Sequence, residues 1–351
     1  MSVLGSGSGL GLLHQIITKQ NLIIMKAIKS ILSLALVSTA IFISSCAKEG
    51  REVLLQEPLV DTSRDSISRY GEGFQLGLAG DESDITVFQY GSQSYQKLHF
   101  FAANSHFLNE RPLVLLNPGG AWASYTEVAK LEELARFLNT KGFSAAIIEY
   151  ALGPQNYDTY LTSMQDMKSA VRYMKLNHHS FKVDTANIFL GGWSSGSLVA
   201  LTAAIMEQSE IAEVSNSILK GIIQDAVQRL GWENTDNLGV SSSVKGFVGM
   251  FTYGFEPKLI DAGDPAIMFI NHNSAQLADG TAVIGSFNVG PINQYGTDLL
   301  VSRARTESYV DGQNLEYIRM TGASPYKGAN EASLWSGNYP AIADFLTRNT
   351  Q

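Results

Sequence analysis

Apolar and polar positions alternate on both sides of Gly91-Ser92 in the stretch ITVFQYGSQSYQKLHFFAAN, which predicts two antiparallel strands. The pattern then changes. PLVLLN (Pro112 to Asn117), SAAIIEY (Ser144 to Tyr150) and NIFLGGW (Asn187 to Trp193) are near-continuous apolar runs of strand length. Strands covered on both faces read this way. Between them, Val128, Leu131, Leu134, Ala135 and Leu138 recur at helical spacing, as do Leu161, Met164, Met167, Val171 and Met174. Leu198 to Met206 predicts a further helix, and VKGFVGMF, AIMFIN and LEYIRM predict strands at 244–251, 266–271 and 315–320. A last helix is expected from about Pro340 to Arg348, with proline in its first turn. The segment near 207–243 shows no clean period and is expected to be an irregular, cap-like insertion. Alternating strands and helices imply an α/β domain: a mostly parallel sheet with helices on both faces and an antiparallel hairpin at its start. Functional loops are then expected at the carboxyl ends of the strands.

The N-terminal region carries a different signature. From Met25 a short basic start (Lys26, Lys29) leads into a mostly apolar core, Ile31 to Ile43, then Ser44, Ser45 and Cys46. The core has the length of a signal peptide and is too short to span a bilayer. It resembles a bacterial lipoprotein signal, with Ile43-Ser44-Ser45-Cys46 as its lipobox. That resemblance implies lipidation of Cys46 and anchoring in the cell envelope, at the outer membrane. Residues 1–24 precede a complete signal, so Met25 is the expected start, with 1–45 removed. Residues 46–80 read as a polar tether, and 81–351 as the folded domain.

Composition narrows the partners. The formal net charge is −8, and the leader carries Lys19, Lys26 and Lys29 but no acid, so the mature chain is more acidic still. Such a surface is a poor match for nucleic acid. With one cysteine, an intrachain disulfide is impossible. No Cys/His spacing suggests a zinc site, and neither metal nor cofactor is expected. No internal repeat is visible.

Two motifs carry chemistry. Gly192-Trp193-Ser194-Ser195-Gly196 fits G-x-S-x-G and lies between a buried strand and a helix, the context an exposed nucleophilic serine requires. The flanking glycines permit a sharp turn, and the helix N-terminus favours developing negative charge. NPGGAW (Asn117 to Trp122) follows the preceding parallel strand. Its Gly119, Gly120 and Ala121 N–H groups, with that of Ser195, are candidate oxyanion donors. Trp122, Tyr150 and Trp193 are candidates for an apolar pocket, or for plain packing beneath the loops.

In these segments the chain resembles the α/β-hydrolase superfamily, in the branch of bacterial carboxylesterases and feruloyl- or acetyl-xylan-esterase-like enzymes. QYGSQSYQKLHFF matches that branch's opening hairpin, LVLLNPGGAW its oxyanion strand and H-G-G-G-W loop, IIEYALGP its Y-R-L segment, and VDTANIFLGGWSSGS its nucleophile turn. The resemblance runs from about Ile85 to Arg348 and implies hydrolysis of small acyl esters, including esters on glycans. It departs at three places. Pro118 replaces the loop histidine, Ala275 falls where the acid is expected, and Pro325 falls where the catalytic histidine is expected. Among the remaining histidines, His178, His179 and His106 precede strands, the wrong edge of the sheet, and His99 lies in the hairpin. His272 alone ends a strand on the correct edge. One strand is expected between its strand and that of Ser194, a backbone separation on the order of 10 Å. Lys327 is a further candidate partner for Ser194. Two readings stay open: an envelope esterase using Ser194 with His272 as a non-standard base, or a non-catalytic relative that binds a glycan or another ligand.

Overall fold

The structure, a computed structural model, describes residues 85–103, 110–254, 256–272, 281–282, 294–320 and 335–350. The leader, Cys46 and the tether lie outside the described residues. No helix among the described residues is long and apolar enough to cross a membrane.

Eight strands form the main sheet: β1 (Ile85–Gln89), β2 (Lys97–Phe101), β3 (Arg111–Asn117), β4 (Ser144–Ile148), β5 (Val183–Trp193), β6 (Gly246–Met250), β7 (Ala266–His272) and β8 (Leu315–Met320). Their order is β1-β2-β4-β3-β5-β6-β7-β8. The β1–β2 and β2–β4 pairs are antiparallel, and every pair from β4 through β8 is parallel. The chain steps outward from β3 to β4, then crosses back to β5 on the other side of β3. That reversal is a switch point, where loops from neighbouring strands diverge and leave a crevice. It falls between the carboxyl ends of β3 and β5, beside NPGGAW and the serine turn. A smaller antiparallel sheet joins Tyr253–Gly254, Gln294–Gly296 and Thr281–Ala282.

The longer helices among the described residues are α1 (Val128–Thr140), α2 (Tyr157–Leu176), α3 (Ser195–Ile205), α4 (Ser217–Leu230), α5 (Thr297–Thr306) and α6 (Tyr339–Arg348). The Phe137 and Tyr339 rings join α1 to α6, and α2 packs between α3 and α4. Right-handed crossovers place α1 and α2 on opposite faces.

The expectation of an irregular 207–243 segment is corrected. It contains a 3-10 turn (Gln208–Glu213) and the fourteen-residue α4, lying along α2 as an additional layer. Asn216 caps α4 by accepting from the N–H groups of Ile218 and Leu219, and Gly231 ends it at φ 84°. Leu219, Ile223 and Ala226 form its buried stripe. Because α2 is covered on this side too, several of its polar residues are buried and partnered. Arg172 binds Glu233, Asn234 Oδ1 (2.8 Å) and the Asp236 carbonyl (2.9 Å). Gln165 donates to the Gly231 carbonyl at 2.9 Å, and Arg229 binds both oxygens of Asp158 at 2.7 Å.

Asp166, also on α2, ties the hairpin to the segment after β4. Its Oδ1 accepts from Gln96 Nε2 (2.7 Å) and its Oδ2 from the Ala151 N–H (2.9 Å). Burial lifts its pKa to about 7, although both hydrogen bonds favour the charged form. The folded state therefore holds this proton more tightly than the unfolded chain. Stability from this group is highest below the unfolded pKa, declines as pH rises toward about 7, and then levels. Asp166→Asn, neutral throughout, is expected to flatten that share of the curve. Urea melts near pH 5 and pH 8 should differ less in the variant, by on the order of 1–3 kcal/mol. The slope is diagnostic even though Asn keeps only one of the two acceptors; an unchanged slope would exclude Asp166.

Candidate active site

Ser194 joins β5 to α3 with φ 51° and ψ −120°. A non-glycine residue at positive φ is strained by on the order of 1–3 kcal/mol and persists only where its surroundings impose it. Here they do. Its N–H donates to the Met250 carbonyl at the end of β6 (2.9 Å), and its carbonyl accepts from Leu198 N–H, the first turn of α3 (3.0 Å). The flanking glycines are required by close approach. A Cβ on Gly196 would stand 2.1 Å from the Pro118 carbonyl oxygen, and one on Gly192 would stand 2.7 Å from the Gly196 carbonyl carbon. So α3 descends directly against the end of β3, and Ser194 is left half-buried at the bend.

The Pro118–Trp122 loop meets that bend. A Cβ on Gly119 would lie 3.3 Å from Ser194 Cβ and 3.0 Å from the Trp193 carbonyl oxygen. Gly120, Ala121 and Trp122 follow with φ of 119°, 51° and 62°. Bonds from Ala123 N–H to Gly120 O and from Thr126 N–H to Gly119 O close the turn, each at 3.0 Å. The Ala121 N–H donates to Ser195 Oγ at 2.8 Å, so this expected oxyanion donor is engaged by a side chain. The Ser195 N–H opens α3, where no preceding turn offers it a carbonyl.

Tyr150 holds the loop from below. Wholly buried, its hydroxyl donates to the Pro118 carbonyl at 2.7 Å and interacts with Ser195. Burial pushes its phenol above the ordinary range and keeps it a neutral donor. Tyr125 Oη accepts from Tyr150 N–H (3.1 Å) and donates to its carbonyl (2.5 Å). Trp122 and Trp193 are likewise buried. Trp122 meets Tyr160 edge-on at 6.0 Å, and Trp193 packs on Phe251 (5.3 Å) and Trp335 (4.2 Å), with Lys130 Nζ 4.8 Å from its ring centre. All three expected pocket residues are thus buried and packed against neighbouring side chains.

A polar network that sequence reasoning missed lies behind Ser194. Ser197 Oγ and Thr252 Oγ1 are 2.5 Å apart. The Thr252 carbonyl accepts from Thr297 Oγ1 (2.7 Å) and Asn271 Nδ2 (3.2 Å), and Asn271 also bonds Thr297. Every member is buried, and together they join α3 to the ends of β6 and β7 and the start of α5. The signal was a single polar residue terminating an apolar run: Thr252 after VKGFVGMF and Asn271 in AIMFIN.

His272 ends β7, paired in register with Met320, and β6 does separate β7 from β5. The His272 side chain lies outside the described residues, as do Ala275, Pro325 and Lys327. Among the described histidines, His99 bonds Glu149 Oε1 at 2.8 Å within the hairpin, and His178 and His179 lie ahead of β5.

A family model described as BD-FAE matches residues 101–234, which include the loop, the serine turn and α4. No curated protein matches by sequence. Among solved structures, esterase 2 of Thermogutta terrifontis phosphoramylated by tabun aligns with TM-score 0.55 and 14% identity, covering 78% of this chain and 98% of that one. The butyrate-bound form of this thermophilic planctomycete esterase aligns at 0.55 and 13%, covering 79% and 98%. The form phosphorylated by paraoxon aligns at 0.54 and 15%, covering 79% and 98%. The chain has an α/β-hydrolase fold.

Two variants test the local account. Gly196→Ala should destabilise by about 2–3 kcal/mol, because backbone cannot yield to the new Cβ. Gly221→Ala on α4, where a Cβ meets nothing within 4 Å, should stabilise by ~0.5–1 kcal/mol. Equal effects in urea melts would refute the close-approach argument. Tyr150→Phe, which removes the donor to Pro118, should lower stability by about 1–2 kcal/mol; an unchanged midpoint would show that the loop does not depend on it.

Proposed function

We propose that the protein hydrolyses carboxylic esters with Ser194 as nucleophile. The observation that carries this is the strained conformation of Ser194, at a helix N-terminus, with the Gly119–Gly120 turn against its Cβ. In this reading Ser194 Oγ attacks the acyl carbon while its proton passes to a base. The carbonyl oxygen gains negative charge and is met by the N–H groups of Gly119, Gly120 and Ser195. Such donors are each worth ~10²–10³ in rate. Collapse of the intermediate expels the alcohol, and water then releases the acid from the acyl-serine. His272 is the proposed base, reached from the end of β7 across β6. The BD-FAE match and the esterase neighbours support the reaction class.

The proposed substrates are small acyl esters, including esters carried on glycans. Butyrate occupies one neighbour's structure, and organophosphorus groups modify others. The proposed location is the bacterial cell envelope, through lipid on Cys46, with 46–80 as a tether. The alternative is a non-catalytic glycan- or ligand-binding relative, favoured by Ala275 and Pro325 at the expected acid and base positions.

A fluorophosphonate probe and p-nitrophenyl acetate separate the two. The esterase reading expects labelling that is abolished in Ser194→Ala, with turnover falling roughly 10³-fold or more. His272→Ala should cut turnover comparably. A protein that neither labels nor turns over the ester is the binder.

A further inference from the structure

We infer that Glu110, His178 and His179 form a binding site for a divalent transition-metal ion, Zn²⁺ being the best fit. Glu110 immediately precedes β3, and the two histidines open the short helix His178–Phe181 that precedes β5. β3 and β5 are parallel neighbours whose first residues, Arg111 and Val183, are in register. The Arg111 N–H also donates to the Lys182 carbonyl at 2.7 Å. Backbone pairing therefore fixes all three residues at one place, the amino edge of the sheet.

The spacing is that of ligands rather than of hydrogen-bond partners. Glu110 Oε1 lies 3.4 Å from His178 Nδ1 and 3.6 Å from His179 Nδ1, and all three atoms lie within 4.8 Å of one another. A carboxylate–imidazole hydrogen bond would be ~2.7–3.0 Å. His178 Nδ1 is shielded from solvent and has no hydrogen-bond partner among the described residues. Two ligands on one tetrahedral Zn²⁺, each ~2.0–2.2 Å from the ion, stand ~3.3–3.6 Å apart. The imidazole rings are 3.8 Å apart, centre to centre, and inclined at 38°. Neutral imidazole is the ligating form. The carboxylate supplies the balancing charge. His179 and Glu110 are open to solvent, so an ion can enter and water can complete its coordination.

β5 runs eleven residues from this cluster to Ser194, roughly 30 Å of extended chain. The ion would therefore act as a staple on the amino edge, independent of the serine chemistry. The sequence offered no metal spacing because the ligands come from either side of two crossovers and converge only when β3 and β5 pair.

The test is calorimetric titration of the chelator-treated full chain with ZnCl₂, together with thermal melting with and without the ion. The expected result is one ion per chain and a raised melting temperature that EDTA reverses. Losing a ligand should cost at least what losing an outer-shell partner does, ~10–100-fold in affinity, in each of Glu110→Gln, His178→Gln and His179→Gln. Co²⁺ on the unaltered chain should give the visible bands of a four-coordinate site, a readout that needs no variant to fold. Absence of binding, one ion per two chains, or undiminished affinity in the His178→Gln/His179→Gln double variant would overturn the assignment.

Discussion

The structure around Ser194 depends on how closely the first turn of α3 approaches the carboxyl end of β3. No side-chain carbon fits between Gly196 and the Pro118 carbonyl, or between Gly192 and Gly196. That contact leaves the chain one way out of β5: a sharp bend through a left-handed residue, which is Ser194. It also presses the Gly119–Gly120 turn against the same residue. The two loops are therefore one packing unit, so the conformation of the serine and the position of the surrounding amides cannot vary independently. The strain is held by bonds on every side: Met250 O and Leu198 N–H on the serine, Ser195 Oγ on Ala121, Tyr150 Oη on Pro118.

Sheet topology makes that approach possible. Because the chain reverses direction after β4, β3 and β5 become neighbours with their carboxyl ends level, Asn117 beside Gly192. The buried network of Ser197, Thr252, Asn271 and Thr297 extends the same constraint across β6 to β7. It fixes the carboxyl ends of β6 and β7 relative to α3. Its members are small hydroxyls and one amide, so it buries no charge, although Asn271 Oδ1 accepts no hydrogen bond among the described residues.

The strands, the serine turn and the glycine loop were legible because their physics is local. A doubly covered strand must be apolar throughout, and a sharp turn under a crossing helix must carry glycine. What was hidden depended on the third dimension. The helix Ser217–Leu230 had readable punctuation in Asn216 and Gly231, yet its stripe of Leu219, Ile223 and Ala226 is thin because it packs on one helix and not on a sheet. The stronger signal lay elsewhere, in α2. Gln165, Asp166, Lys168 and Arg172 interrupt an apolar face, and so many polar residues on a long central helix imply a covering layer that supplies partners. The bond from Ala121 N–H to Ser195 Oγ and that from Tyr150 Oη to the Pro118 carbonyl were hidden for a related reason: sequence cannot say which donor on a loop is held by a neighbouring side chain.

Strain bears on the choice between enzyme and binder. Ser194, Ala121 and Trp122 all carry side chains at positive φ, where glycine would be free of the penalty. A surface that only binds a ligand has no need of a hydroxyl at a position that packing forces into that region. In the proposed reading the same conformation is useful to a nucleophile, because it sets Ser194 at a bend between strand and helix, beside the amides of the Gly119–Gly120 turn. Such fixed dipoles need not reorganise as charge develops, which is the main way a site of this type lowers a barrier. On the proposed reading the retained strain is what weighs toward chemistry at Ser194, and with Ala275 and Pro325 at the expected acid and base positions that reading requires another group to take the proton.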